Sequence, residues 1–322
     1  MKLYNPISLS QLLDVKLASN IPFEVVGDPN VVIKGIDDYQ VVLPQELTWV
    51  DYAPFYNRVF KTDAIAIIID SLPPKPPQGK TLIVTPDPKT LFDLLAEAHY
   101  DSQFPPRSRW ERMWNRKDIH IGKNCKIHRS VIIGKHVHIG DNVTIEPYVT
   151  ISDNVIIGDN VIIHNHCAIG GLPFVHIKQA DGTYEPRKAW GNTYILNDVE
   201  LAPMTNIDRG VTGTTIIGAG TKTGAICQIG HDTWIGSNCH LCSAVTIAGY
   251  SRIKNNCEFW GQSGVSSSIH VAEGTCVNGC SVILKDVTEP NQTLAGFPAE
   301  PSRDYWKRAA ILRKMATDYE SK

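Results

Sequence analysis

Apolar residues recur at every sixth position through most of this chain. The series begins with isoleucines in unbroken succession at positions 121, 127, 133, 139, 145, 151, 157, 163 and 169. It resumes at Ile195, shifts by four residues near Gly213, and continues from Ile217 to Ile283. A six-residue period does not fit the 3.6-residue turn of an α-helix, whereas short strands joined by corners would turn each such side chain into one interior. The spacing therefore predicts a solenoid of hexapeptide repeats, a parallel β-helix.

Cysteines follow the same period. The chain has eight cysteines and no CxxC pair, and five of them stand four residues after the repeating apolar residue: Cys125, Cys167, Cys227, Cys239 and Cys257. A thiol is small and apolar enough for a tight interior position, so these cysteines are expected to be structural.

The residues before the repeat follow other patterns. Ser8 with Gln11 predicts a capping box that opens a short helix, and Asp87 with Pro88 predicts the start of a second helix. Four apolar runs predict strands: VVIKGID, LTWVDY, AIAIIID and TLIVTP. We therefore expect an α/β domain at 1–105, a linker at 106–118, the solenoid at 119–290 and a C-terminal helical extension at 291–322.

Two irregularities interrupt the solenoid pattern. Residues 171–192, GLPFVHIKQADGTYEPRKAWGN, separate two repeat units, and loops of this length are more often functional than decorative. The other irregularity is His231, at the third place of its unit, where Lys, Arg, Asp, Asn or Ser is usual. Function is expected at these departures from the regular scaffold.

Composition narrows the function. The formal net charge is −2, from 31 basic and 33 acidic residues, which gives no basic field for nucleic acid. The sequence has neither a long apolar stretch nor a secretory signal, which predicts a cytoplasmic protein without a transmembrane segment. No Walker A motif is present, and no GxGxxG opens a helix after a strand, so nucleotide hydrolysis and dinucleotide binding lack support.

Two His-x-His pairs raise a metal hypothesis. His136/His138 and His164/His166 lie at corners or outward positions of the repeat, but no set of Asp, Glu or Cys completes a tetrahedral site. A γ-type carbonic anhydrase shares the solenoid and would use such histidines, and it is the metalloenzyme alternative. We expect solvated corner histidines and no metal.

Several motifs resemble those of one enzyme family. NIDRGVTGTTIIGAGTK (206–222), QIGHD (228–232), IAGY (247–250), WGQSGV (260–265) and AGFPAEP (295–301) resemble the UDP-3-O-acylglucosamine N-acyltransferases of lipid A biosynthesis. GDPNVVIKGIDD, LTWVDY, TDAIAIIID and LIVTPDP follow the uridine-binding domain of that family in order. The likeness spans nearly the whole chain and is strongest to a divergent branch with WGQ.G in place of GGQ.G. It implies a left-handed β-helix with three repeat units in each triangular coil.

The resemblance implies acyl transfer at His231. In that family the histidine of QIGH is the general base, so His231 is expected to take a proton from the 2-amine of a UDP-linked acylated glucosamine. The amine then attacks a 3-hydroxyacyl thioester on the phosphopantetheine of acyl carrier protein, and no other cofactor is needed. An imidazole with a reference pKa of about 6.5 can accept such a proton at neutral pH.

Gly249 is the expected oxyanion donor. It follows His231 by three repeat units, which is one coil, and occupies the same place in its unit. Adjacent strands are about 4.8 Å apart, so the backbone N–H of Gly249 is expected to lie over the imidazole. The oxyanion donor of the family falls on this position, and a glycine lets an acyl group approach the backbone.

Three departures from the family pattern remove polar groups from the expected cleft. The family usually has K-x-D-N before QIGH, where this chain has Gly224 and Ala225. A second family histidine falls on Ser268, with His270 two residues later. The family loop motif G-x-D-G-F is GGLPFVH here, which keeps Phe174 and loses the acid. The sugar, the acyl donor or the activity itself could therefore differ.

Aromatic residues of the first domain are candidates to stack the uracil ring. These are Trp49, Tyr52, Phe55 and Tyr56, of which Trp49 is the one most expected to pack in the core. The remaining candidate substrate-binding residues are Phe174, Gln228, Asp232, Gln262, Ser268 and His270.

The resemblance further implies a homotrimer with each site between neighbouring solenoids. Basic residues of the last helix are candidates for docking acidic acyl carrier protein, although a solvated helix face explains them equally well: Lys307, Arg308, Arg313 and Lys314. Two other interpretations stay open. One is an acyltransferase that uses acyl-CoA and another nucleotide-linked amino sugar, and the other is a non-catalytic binding or scaffold paralogue.

Overall fold

The N-terminal domain is a six-stranded sheet with short helices. The structure is a computed structural model and describes residues 2–14, 21–39, 42–99, 118–179, 181–296 and 302–320, so most of the predicted linker lies outside the described residues. The strand order is β1-β3-β4-β5-β6-β2. The elements are β1 Lys2–Ser8, α1 Leu9–Leu13, β2 Glu24–Val26, β3 Val32–Ile36, β4 Glu46–Val50, a 3₁₀ turn at Ala53–Phe55, α2 Tyr56–Phe60, β5 Ala66–Ile69, β6 Thr81–Val84 and α3 Pro88–His99.

Both predicted helix starts are confirmed. The Ser8 backbone N–H donates to Gln11 Oε1 at 3.0 Å, and the Gln11 N–H donates back to Ser8 Oγ at 3.3 Å. At α3 the Thr90 N–H donates to Asp87 Oδ1 at 3.1 Å. Each side chain thus satisfies a backbone donor that the first helical turn leaves free. The four predicted strands are β3 to β6, while β1 and β2 were not predicted.

The repeat region folds as a three-faced parallel β-helix, which confirms the predicted architecture. Face 1 contains β7 His120–Ile121, β10 His138–Ile139, β13 Val155–Ile157, β18 Asn192–Ile195, β21 Thr214–Ile217, β24 Trp234–Ile235, β27 Arg252–Ile253 and β30 His270–Val271. Face 2 contains β8 Lys126–Ile127, β11 Thr144–Ile145, β14 Ile162–Ile163, β19 Glu200–Leu201, β22 Lys222–Thr223, β25 His240–Leu241, β28 Glu258–Phe259, β31 Cys276–Val277 and β33 Thr293–Leu294. Face 3 contains β9 Ile132–Ile133, β12 Thr150–Ile151, β15 Ala168–Gly171, β20 Asn206–Asp208, β23 Gln228–Ile229, β26 Thr246–Ile247, β29 Gly264–Val265 and β32 Val282–Ile283.

The repeating apolar side chains stack in register inside the β-helix. Ile229 pairs with Ile247 on face 3, and this ladder forms one continuous buried core with its neighbours. Register survives both irregularities, because Ile157 pairs with Ile195 across the loop and Ile195 with Ile217 across the four-residue shift. The cysteines are unbridged, and four of the five in the repeat position are fully buried, as expected for structural thiols.

The three corners differ in the residues they place in the left-handed backbone region. We name each corner by the faces that it joins. The 1–2 corner uses residues that accept this conformation readily, namely Asn124, Asn142, Asn160, Asp198, Gly220, Asn238, Asn256 and Gly274. The 2–3 corner instead mixes polar residues such as His166 and Gln262 with apolar ones there, and leaves three of the apolar ones exposed: Tyr148 by 63%, Met204 by 57% and Ile226 by 59%. A β-branched residue in this region is strained, so Ile226 is a costly choice for a solvated corner.

The long loop joins the two domains. It forms a hairpin of β16 His176–Lys178 and β17 Tyr184–Pro186. Beyond the hairpin, Arg187 forms an ion pair with Asp93 of α3 at 3.3 Å, and Lys188 pairs with Glu97. Trp190 is 4% exposed and belongs to the hydrophobic core of the N-terminal domain. The loop therefore has a structural role that the sequence did not indicate.

The C-terminal extension contains helix α4, Ser302–Glu320. The described part of α4 is exposed, including the apolar residues Ile311, Leu312 and Met315. None of the helices in the described ranges has an apolar stretch long enough to span a membrane.

Candidate active site

His231 lies at the 3–1 corner, between β23 and β24. Its side chain is 16% exposed, and its Nδ1 lies 2.9 Å from Asp232 Oδ2. The other ring nitrogen, Nε2, has no hydrogen-bond partner among the residues that the structure describes. A carboxylate at Nδ1 selects the tautomer in which Nε2 carries the free lone pair, which is the form needed to accept a proton. The imidazole is thus anchored at one nitrogen and open at the other.

Asp232 is held in a cradle built by the preceding coil. Its carboxylate accepts the Val211 N–H at 2.8 Å and the Gly213 N–H at 3.0 Å, in addition to its contact with His231. The four-residue shift in the repeat supplies both of these donors. Asp232 is fully buried and its contacts among the described residues are all internal, while its assignment to substrate binding stays a prediction. Its position is that of a residue that orients His231 and stabilises the imidazolium.

Gly249 stands against the imidazole, one coil further on. A Cβ at this position would lie only 2.6 Å from His231 Nε2 and 2.8 Å from Cε1, so no other residue fits without displacing the ring. Within the described ranges, the Gly249 N–H donates to no protein acceptor. The predicted superposition of His231 and Gly249 on consecutive coils is therefore present, with an unused backbone donor beside an unused ring nitrogen.

Tyr250 packs against the same imidazole. Its ring centroid is 4.9 Å from that of His231, the two planes meet at 88°, and its backbone N–H donates to the His231 carbonyl at 2.9 Å. Burial raises the pKa of its hydroxyl above the ordinary value. This tyrosine belongs to the IAGY motif, but it was not among the predicted site residues.

A second acid lies one coil below His231. Asp208 accepts a hydrogen bond from Asn206 Nδ2 at 2.7 Å and another from Gln228 Nε2 at 3.1 Å. Burial raises the pKa of Asp208, and the nearby His231 opposes that rise. The amide of Gln228, a predicted substrate-binding residue, thus donates a hydrogen bond to Asp208. Asp208 follows Asn206 by two residues within NIDRG, so the two side chains point to the same side of the strand. That spacing was the sequence signal that could have predicted their hydrogen bond.

The N-terminal domain brings charge to the same corner. Burial raises the pKa of Asp37 to about 7, and Asp232 contributes to the rise. The Arg252 guanidinium donates to the carbonyls of Asp232 and Ser251, and its pKa is lowered by burial. Asp37 and Asp38 both act electrostatically on Arg252. Charged groups from both domains therefore lie close to the 3–1 corner that carries His231.

The predicted uracil-stacking residues divide into core and surface. Trp49 is partly buried and packs on Phe92 with ring centroids 6.0 Å apart, against the core of the domain, which is where this candidate was most expected. Tyr56 hydrogen-bonds Asp70 and packs on Phe60. Tyr52 and Phe55 are exposed by 56% and 41%, with ring centroids 5.2 Å apart.

Two residues extend this exposed aromatic cluster and were not predicted. Tyr39 stacks on Phe55 at 6.1 Å, and the Arg58 guanidinium lies 5.7 Å from the Tyr39 ring centroid. Stacked rings with a neighbouring cation form a suitable platform for a base that carries phosphate.

The other predicted site residues are dispersed. Phe174 is 91% exposed and contacts His176 of its own loop. Gln262 lies at the 2–3 corner, where its side chain accepts from Cys280 Sγ, so a single chain does not bring it to His231. Ser268 lies on the 3–1 corner, where its N–H donates to the Gly249 carbonyl at 3.0 Å, and His270 is exposed on face 1 beside Arg252.

The His-x-His pairs have other partners. His164 lies between two carboxylates, with Nδ1 3.1 Å from Glu146 and Nε2 2.9 Å from Glu200. His166 stacks on Tyr148, and His138 stacks on His120. Across the described ranges, no three His, Cys, Asp or Glu side chains are arranged to hold a metal ion.

Comparison with known proteins decides the family. Residues 118–153 and 136–171 match the bacterial transferase hexapeptide family model, which describes six repeats. A UDP-3-O-acylglucosamine N-acyltransferase from Methylorubrum extorquens is 31% identical over 322 residues, which cover 93% of this chain and 92% of that protein. The chain belongs to this family. A relative with the same name from Helicobacter hepaticus is 30% identical over 95% of this chain and 97% of its own length. Family membership identifies the protein as an acyltransferase.

Solved structures agree on the fold. A UDP-N-acetylglucosamine acyltransferase from Bacteroides fragilis superposes with a TM-score of 0.51 over 57% of this chain and 70% of its own, at 22% sequence identity. At that identity the likeness supports the β-helix alone.

Proposed function

We propose that this protein transfers an acyl chain from a thioester to the 2-amine of a UDP-3-O-acylglucosamine, a step of lipid A biosynthesis. The observation that carries the proposal is the juxtaposition of His231 and Gly249. One offers a free ring nitrogen and the other an unused backbone N–H, on consecutive coils. The names of the full-length relatives supply the acceptor.

The reaction follows from these groups. The acceptor amine attacks the thioester carbonyl carbon while His231 Nε2 removes a proton from the nitrogen. The Gly249 N–H stabilises the oxyanion of the tetrahedral intermediate. The C–S bond then breaks, and the imidazolium returns the proton to the leaving thiolate. Asp232 stabilises the imidazolium between these steps, because its buried carboxylate lies at Nδ1.

The acceptor and the donor are assigned to different surfaces. The uracil ring is proposed to stack on the exposed Tyr52 and Phe55, beside Tyr39 and Arg58. The donor is proposed to be acyl carrier protein, docked through the basic residues of the exposed helix α4. The interpretation that uses acyl-CoA shares the same chemistry and differs only in the carrier.

We further propose a homotrimer in which a partner completes each site. Gln262 and Trp260 of the WGQSGV motif lie at the 2–3 corner, away from His231 of the same chain. That corner also carries the exposed Met204 and Ile226, whose strain and exposure are offset if another copy covers them. Ile226→Asp should then yield monomers by light scattering, whereas an unchanged assembly would place the contact elsewhere.

The decisive experiment pairs two corner histidines. His231→Ala should lower turnover by about a hundredfold or more, because it removes the general base, while His164→Ala should leave turnover within about twofold. Product is followed by mass spectrometry with UDP-3-O-acylglucosamine and either acyl-carrier or CoA thioesters. Wild-type turnover in His231→Ala would end the proposal. Transfer from CoA alone would favour the acyltransferase that uses acyl-CoA and another nucleotide-linked amino sugar. Uridine binding without any transfer would favour the non-catalytic scaffold paralogue.

A further inference from the structure

We propose that Tyr250 is a positioning residue for His231 and holds the plane of its imidazole so that Nε2 stays against Gly249. The inference rests on the acyl transfer proposed above and adds to it a residue that touches neither substrate nor reacting atom.

The histidine ring keeps one rotational freedom. The hydrogen bond to Asp232 fixes Nδ1, but the torsion about the Cβ–Cγ bond of histidine has broad minima. A ring set perpendicular at 4.9 Å blocks rotation toward its own side. Because Gly249 is in contact on the next coil, the imidazole is confined between a glycine and a tyrosine.

A tyrosine at this corner carries a conformational cost. Tyr250 has φ +61°, a left-handed conformation that is unfavourable for an aromatic residue and persists where the surroundings enforce it. Its backbone N–H donates to the His231 carbonyl at 2.9 Å, which ties the backbone of the strained residue to that of the histidine. A glycine or asparagine would serve a plain corner at lower cost.

Charged groups from both domains act on Tyr250. The charged groups that act on the Tyr250 hydroxyl are Asp232 on its own corner, Asp37 and Asp38 of the N-terminal domain, and Arg187 of the long loop. Arg252, two residues further along the same coil on face 1, interacts electrostatically with the same tyrosine. Tyr250 therefore contacts the base on one side and lies within electrostatic reach of charged groups from the N-terminal domain and the long loop.

A second tyrosine provides the contrast within the chain. Tyr148 has φ +63° and its ring lies 5.0 Å from that of His166, but the two rings are nearly parallel at 12°. Tyr148 is 63% exposed among the residues that the structure describes. It is a matched control, because it shares the residue type, the corner conformation and a histidine neighbour.

The experiment compares Tyr250→Ala, Tyr250→Phe and Tyr148→Ala in the full-length protein. Alanine is accepted at such corners, since Ala244 has φ +62°. Tyr250→Ala should lower kcat about tenfold to a hundredfold, while KM for both substrates should stay within about twofold. This is the result expected when a general base is no longer held in its productive orientation. Tyr250→Phe keeps the ring and should stay within about threefold of wild type, as should Tyr148→Ala.

Nitrogen NMR of histidine-labelled protein gives a readout that needs no turnover. The His231 signals are identified by their loss in His231→Ala. In wild type they should show one tautomer with Nδ1 protonated, and Tyr250→Ala should average them toward a mixture. Tyr148→Ala should leave them unchanged.

Three results would overturn the proposal: wild-type kcat in Tyr250→Ala, equal impairment in Tyr250→Phe, or a single unchanged His231 tautomer in Tyr250→Ala. The NMR result separates this inference from the proposed function. If His231→Ala remains active, the acyl-transfer mechanism fails while the tautomer still reports whether Tyr250 positions the ring.

Discussion

His231 and His164 occupy neighbouring corners of one β-helix and have opposite surroundings. At His164 both ring nitrogens meet carboxylates, Glu146 on one side and Glu200 on the other. At His231 one nitrogen meets Asp232 and the other faces a glycine with an unused N–H. An imidazole held at both nitrogens is a structural cation, whereas one held at a single nitrogen can act as a base. The comparison shows that the repeat supplies positions for histidine and the neighbours decide its chemistry.

The largest expected effect comes from closing the open side of His231. Gly249→Ala would place a Cβ 2.6 Å from Nε2, so the ring must move away from the oxyanion donor. We expect kcat to fall by at least about a hundredfold, in line with the loss of an oxyanion-hole donor. Gly296→Ala is the control, since among the described residues its Cβ would meet nothing closer than 3.6 Å. Normal kinetics in Gly249→Ala would contradict the oxyanion assignment.

A smaller loss of activity is expected from changing Asp232, which hydrogen-bonds to Nδ1 of His231. Asn in place of Asp232 must point an NH₂ group at one of three donors: the Val211 N–H, the Gly213 N–H or His231 Nδ1. Tyr250 and Gly249 keep the ring in place, so we expect kcat to drop about tenfold to a hundredfold, and the free energy of unfolding to fall by about 1–3 kcal/mol. Both are measured by steady-state kinetics and urea unfolding.

Asp153→Asn is the matched control for Asp232. Asp153 is also buried at the 3–1 corner, but its Oδ1 accepts a backbone N–H from Lys135, a bond that an asparagine oxygen can keep. Equal losses in the two variants would mean that Asp232 serves the corner and not the base.

The smallest effect is expected at His164 and appears only as a function of pH. The hydrogen bond to Glu200 raises the pKa of His164. The protonated form is therefore favoured in the folded state, so its stabilisation is fully present below the unfolded pKa of about 6.5 and is lost as pH rises through the folded value. Thermal melts of His164→Gln should show a deficit of about one or two degrees at pH 5.5 that vanishes by pH 8.5. A deficit independent of pH would show that the imidazolium contributes nothing.

The β-helix could be predicted from sequence because one period controls every coil. A side chain that must enter a shared interior every six residues leaves a signal that no local exception hides, and the capping residues Ser8 and Asp87 follow equally local rules. Trp49 is different. An aromatic residue near a strand looks the same whether it packs on Phe92 or faces solvent, so stacking and core could not be told apart.

The site was only partly predictable for the same physical reason. His231 and Gly249 share a slot in consecutive coils, which a periodic sequence reveals. The cradle of Asp232 depends on backbone donors from the four-residue shift, and the contact of Tyr250 depends on the angle between two rings. Neither leaves a mark in the order of residue types.

Trp190 has a consequence for the way this protein can be divided. It is placed by the β-helix, yet its indole completes the hydrophobic interior around Leu91 and Phe92. A fragment ending near residue 105 would leave that interior short of one of its largest side chains, and a β-helix freed of its partner would expose an indole to water. The two domains are therefore expected to unfold together, in one calorimetric transition. An exchange of the first domain between relatives must include the long loop that carries Trp190.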